Sequence, residues 1–145
     1  MFLIYYGNHY QLRVVILTMK ILKKYDKNKK SKIVNNWPEH VITLEEKNFN
    51  KFIKKYPLSI VDFWASWCIP CKTMAPRLRR LSNIYKGKVA FGRIDTQKNK
   101  GIAKNFQIIG IPQLIFFKYG KKVTNITGVK SIGYIKKVIE NHLKN

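Results

Sequence analysis

Seven almost uniformly apolar residues, Leu58 to Trp64, run directly into a short segment that carries both cysteines of the chain, Cys68 and Cys71. Apolar residues without alternation are the pattern of a strand covered on both faces, so this run predicts a central strand rather than an edge. The cysteines then fall where that strand gives way to a helix predicted from about Pro70 to Tyr85. Two sulfurs separated by two residues at a loop-to-helix junction can close a small disulfide ring. A thiol at the helix start meets unpaired backbone N–H groups and the positive end of the helix dipole, both of which favour its thiolate. Cys68 is therefore the expected exposed nucleophile. Cys71, one turn further in and more covered, is the expected resolving thiol, which attacks a mixed disulfide and releases the reduced client.

Two plainer readings of the pair are a buried structural disulfide and half of a zinc site. A staple closing so short a loop constrains the unfolded chain little. Structural zinc takes four protein ligands, and beyond the cysteines the sequence offers His9, His40 and His142, far apart along the chain. Reversible disulfide chemistry is the reading that uses the spacing. Asp62 adds to it, because a carboxyl inside an apolar strand is costly unless it is hydrogen-bonded or protonated, and desolvation raises its pKa. The alternative is a carboxyl merely satisfied by a neighbour or reaching water at the strand end.

From about His40 onward the chain resembles the thioredoxin family. The segment Val61-Asp62-Phe63-Trp64-Ala65-Ser66-Trp67-Cys68-Ile69-Pro70-Cys71-Lys72 is similar to the family's active-site strand and loop. Ala75-Pro76 follows as its helix proline, Gly110-Ile111-Pro112 resembles the loop whose proline is cis, and Gly128 matches a glycine flanking the client groove. The resemblance implies an α/β thioredoxin fold, a central mixed sheet of four to five strands flanked by helices. It also implies a protein-disulfide reductase in which Cys68 and Cys71 form the redox couple and Asp62 assists proton transfer. Trp67, Ile69, Pro70, Ile111, Pro112 and Gly128 are the expected client-binding residues. A cis Ile111–Pro112 bond would bring the Ile111 backbone beside Cys68, free to pair with an extended client segment. Two positions depart from the family: Ile69 stands in place of the usual glycine, and Phe91 occupies the place of a lysine near the buried aspartate. On that basis a relay through Asp62 lacks that lysine.

Elements follow in the order βαβαβαββα. Val41 to Leu44 reads as a first strand, with Thr43 and Glu46 spaced for a capping box. Phe49, Phe52, Ile53 and Tyr56 give the next helix its apolar face, and Pro57 ends it. Met74, Leu78, Leu81 and either Ile84 or Tyr85 form the buried stripe of the helix that follows Cys71, which Pro76 is expected to kink. Lys88 to Ile94 reads as a strand returning parallel to Leu58–Trp64, and a short helix spans about Asn99 to Phe106. Gln113 to Lys118 and Lys121 to Thr127 pair through the tight Tyr119-Gly120 turn. The last helix is capped by Ser131 and carries Ile132, Ile135, Ile139 and Leu143 on one face.

The chain carries 29 Lys and Arg against 7 Asp and Glu, a net charge of +22 spread along its length. Such a field attracts acidic clients, nucleic acid or anionic surfaces and weakens with salt. The abundance of Lys, Asn, Ile and Tyr is also what an A/T-rich coding sequence produces, and no nucleic-acid-binding module is recognisable. Residues 1–36 read as an extension, apolar and then rich in Lys and Asn, and residues 37–145 as the domain. Neither apolar stretch of the extension reaches the ~20 residues of a membrane span, and the like-charge density of its second half resists packing. Met19 is an alternative start. Two cysteines at this spacing fit a reducing cytoplasm. The expected protein is a monomer with no bound cofactor, acting on protein disulfides and recharged by a thioredoxin reductase of unknown type. Two other readings keep the fold: a thiol oxidant or isomerase, and a basic binding subunit whose cysteines are incidental.

Overall fold

A computed structural model describes residues 36–144, together with Val34 and Ile16. The readings of the apolar and lysine-rich segments before Val34 lie outside the described residues. Val34–Asn145 forms one compact unit. Its elements are β1 (Ile42–Leu44), α1 (Glu46–Lys55), β2 (Leu58–Trp64), α2 (Ile69–Ile84), β3 (Ala90–Asp95), α3 (Lys100–Asn105), β4 (Gln113–Lys118), β5 (Lys121–Thr127) and α4 (Ile132–Lys144). The strands form one five-stranded sheet in the order β1-β3-β2-β4-β5. As its unbroken apolar character requires, β2 is the central strand, parallel to β3 and antiparallel to β4.

Because side chains alternate across a strand, the sheet sorts its residues into two cores. Leu58, Ile60, Phe91, Leu114 and Phe116 pack under Met74, Leu78, Leu81 and Tyr85 of α2 and its end and under Ile135 and Ile139 of α4. Val61, Phe63, Ala90, Ile94, Ile115 and Phe117 face Phe49, Phe52, Ile53 and Tyr56 on the α1 side, with Ile102 of α3. The α2 stripe thus closes with Tyr85, whereas Ile84 is exposed. At the end of α4, Leu143 is also exposed.

The predicted Thr43–Glu46 capping box does not form, because β1 continues through Leu44 and holds Thr43 opposite Arg93. Glu45 takes the N-cap position of α1, and its backbone N–H donates to Asn48 Oδ1 at 2.8 Å. Glu46 instead reaches across the fold. Its carboxylate accepts from the Gly101 N–H of α3 at 2.9 Å, and its own N–H donates to Asn99 Oδ1 at 3.0 Å. Thr96, in the turn between, donates through both its N–H and its hydroxyl to the Trp64 carbonyl, which fixes the end of β2 just before the cysteine loop. Ser131 caps α4 as expected, accepting from the Tyr134 N–H.

Candidate active site

Trp64 leaves the sheet, Ala65 to Trp67 form a turn, and Cys68 becomes the N-cap of α2. The cap is a sulfur: Cys68 Sγ accepts the Cys71 backbone N–H at 3.2 Å. Pro70 fits the first turn because no donor is needed there. Cys68 and Cys71 are joined in a disulfide with their Cα atoms 5.3 Å apart. Among the described residues no group of three or more His, Cys, Asp or Glu side chains is placed to hold a metal.

Cys68 does not hold the exposed position expected of it. Cys68 is only 3% exposed and Cys71 is fully buried. The residue expected at the surface is largely covered because Ala65, Trp64 and Ile111 pack against the pair. What the site exposes instead is apolar: Trp67 at 65% and Ile69 at 74%. Trp64, by contrast, is partly buried against the sulfurs.

The second wall comes from the start of β4. The Ile111–Pro112 peptide bond is cis, and the pairing of Phe63 with Gln113 sets Pro112 just beyond the end of β2. Gly128, at φ +79°, donates its N–H to the Pro112 carbonyl at 2.8 Å. A side chain at that backbone angle would be strained, so glycine suits the position. The structure therefore brings Cys68, Cys71 and Ile111 into contact, with Pro112 and Gly128 beside them. Trp67, Ile69 and Pro70 share the loop and first helical turn.

Asp62 is completely buried, which removes the reading of a strand-end carboxyl reaching water. By strand alternation it lies on the α2 face between Ile60, which packs under that helix, and Trp64, which packs on the sulfurs. Desolvation pushes its pKa up to about 6, against the opposing pull of the Arg93 charge and hydrogen bond. Arg93 is the functional neighbour that sequence reasoning missed. Its Nε donates to Asp62 Oδ2 at 2.9 Å, and its guanidinium sits 4.5 Å from the centre of the Trp64 ring. The lysine is missing, since Phe91 is core, but a cation that the sequence reading did not anticipate comes from two residues further along β3, where the register sets Arg93 beside Asp62. The signal lay in the sequence as an arginine inside the otherwise apolar run from Val89 to Ile94.

Comparison with known proteins agrees with this geometry. The family model for Thioredoxin matches residues 40–141. The thioredoxin of Staphylococcus saprophyticus is 37% identical over 103 residues, covering 71% of this chain and 98% of that protein. That of Staphylococcus haemolyticus is 35% identical over the same shares. Among solved structures, a mutant thioredoxin from Halobacterium salinarum superposes with a TM-score of 0.70 at 23% identity, covering 75% of this chain and 96% of that one, a likeness of fold. Sheet order, cysteine pair and relatives converge: the chain belongs to the thioredoxin family and is a protein-disulfide reductase of that kind.

Proposed function

We propose that Cys68 is the attacking thiol, Cys71 the resolving thiol and Asp62 the group that takes the proton from Cys71. The observation that carries this reading is the cysteine pair capping α2 on the face of the sheet that holds a wholly buried carboxyl. Cys68 thiolate attacks one sulfur of a client disulfide, and the other client sulfur leaves as a thiolate that takes a proton from water. Cys71 then passes its proton to Asp62, its thiolate attacks Cys68 sulfur, and the second client sulfur departs. The client gains two electrons, and the Cys68–Cys71 disulfide is the oxidised product. With its pKa near 6, Asp62 is mostly ionised at neutral pH and is a competent acceptor.

The client-binding role falls to the apolar surface of Trp67, Ile69 and Pro70 and to the loop of Ile111, Pro112 and Gly128. Close cover over Cys68 means that the partner sulfur must be delivered to it, and an extended client segment paired to the Ile111 backbone does so. The working unit is a monomeric domain of residues 37–145, preceded by an extension. It acts in the cytoplasm without a bound cofactor and is recharged by a separate thioredoxin reductase. Among the described residues no helix is long and apolar enough to cross a membrane.

The test is reduction of insulin disulfides driven by dithiothreitol. Cys68→Ser should abolish turnover, and Cys71→Ser should accumulate mixed disulfides with the client, visible by mass. Full activity in Cys68→Ser would end the assignment.

A further inference from the structure

Arg93 has no role in the scheme above, yet it makes three contacts that bear on the site. Its Nε is hydrogen-bonded to one oxygen of a carboxyl that water does not reach. Its guanidinium lies over the indole of Trp64, the residue that packs against both sulfurs. Its backbone is locked into the parallel pairing with β2, directly beside Asp62. The side chain is 23% exposed, so it spans from the interior to the surface.

The two oxygens of Asp62 are therefore not equivalent. Oδ2 is taken by Arg93, whereas Oδ1 is buried and accepts from no side chain or backbone group among the described residues. An ionised carboxylate accepts at both oxygens, and a buried acceptor left bare is costly. With Oδ2 claimed by Arg93, Oδ1 is the oxygen that no described residue claims on the face that carries Cys71. We propose that Arg93 is the positioning residue of the resolving step: wedged between Asp62 and the Trp64 ring, it occupies Oδ2 and leaves Oδ1 as the oxygen that exchanges a proton with Cys71. Arginine suits the task better than lysine, since its planar face stacks on the indole while Nε reaches a single carboxyl oxygen and its charge does not titrate. The inference rests on the proton-accepting role of Asp62 proposed above.

Balance requires no further reactant. The proton leaves Cys71 Sγ for Asp62 Oδ1, the Cys71 thiolate forms the bond to Cys68, and the client thiolate is released. Arg93 remains protonated throughout.

The experiment follows the pH dependence of client release from the mixed disulfide by stopped flow, together with the carboxyl carbon shift of Asp62 by NMR, in Arg93→Met, Arg93→Lys, Asp62→Asn and the double variants. Without the cation, Asp62 ionises only at higher pH, so in Arg93→Met both midpoints should move up by about one pH unit or more. Arg93→Lys keeps the charge but loses the planar group stacked on Trp64 and should fall between wild type and Arg93→Met. In the Asp62→Asn background, substitution of Arg93 should leave the profile unmoved. Superimposable profiles for wild type, Arg93→Lys and Arg93→Met would overturn the inference, as would a shift that persists without Asp62. If Arg93→Met does not fold, Arg93→Lys and its double variant make the same comparison. A wild-type profile that Asp62→Asn does not alter would remove the role of Asp62 itself, and this inference with it.

Discussion

Burying Asp62 carries a cost that should be measurable as stability. Its pKa is pushed up to about 6 in the folded protein by desolvation, against roughly 3.9 in an unfolded chain. Between those values the native state binds a proton at Asp62 that the unfolded state has lost, so stability falls as pH rises. Below pH ~4 the carboxyl is protonated in both states and its contribution is complete; above ~6 it is ionised in both, and the loss has reached its limit. A difference of about two pH units at 1.36 kcal/mol each makes that limit about 3 kcal/mol. Asp62→Asn keeps the shape and still offers an oxygen to Arg93, but does not titrate. The assay is urea unfolding of the oxidised wild type and Asp62→Asn from pH 4 to pH 8, with the disulfide intact so that no thiol contributes. Every other titrating group is common to the pair and cancels to first order in the difference. The variant should gain on wild type through pH 4–6 and hold an advantage of about 3 kcal/mol at pH 7. A difference that does not change with pH would refute the reasoning.

Two further substitutions probe the loop and the core. Ile69→Gly loosens the backbone that ring closure must fix, at about 0.5–1 kcal/mol, which corresponds to a potential less negative by about 10–20 mV. Equilibration with glutathione buffers reads it, and an unchanged potential would show that the isoleucine is silent. Gly92→Ala would set a Cβ 2.5 Å from Leu44 Cδ1 and 3.1 Å from Phe52 Cε1. The overpacking should cost about 1–3 kcal/mol in unfolding free energy, and a neutral result would mean that Leu44 swings aside freely.

Much of this architecture is written locally. The β4–β5 hairpin occupies the predicted Gln113–Lys118 and Lys121–Thr127, because a Tyr119-Gly120 turn in the left-handed region between an apolar run and a segment rich in β-branched residues leaves few alternatives. Leu58–Trp64 is central for the reason its pattern gives. The misses are all long-range. The local sequence makes Glu46 a cap for its own helix, but a backbone N–H 55 residues away claims it. Cys68 was expected at the surface, and its burial depends on Ile111, which only the pairing of β4 with β2 delivers. Arg93 finds Asp62 through the parallel register of two strands, a quantity no single segment encodes.

The antiparallel seat of β4 on β2 orders events along the chain. A nascent chain that has emerged only as far as Asn105 already holds both thiols and the helix that begins at them, but not the proline wall opposite. Competence toward clients is thus a late acquisition, dependent on Phe63 meeting Gln113 across fifty positions of chain. An incomplete polypeptide carries the reactive atoms without the surface that would direct them to a partner.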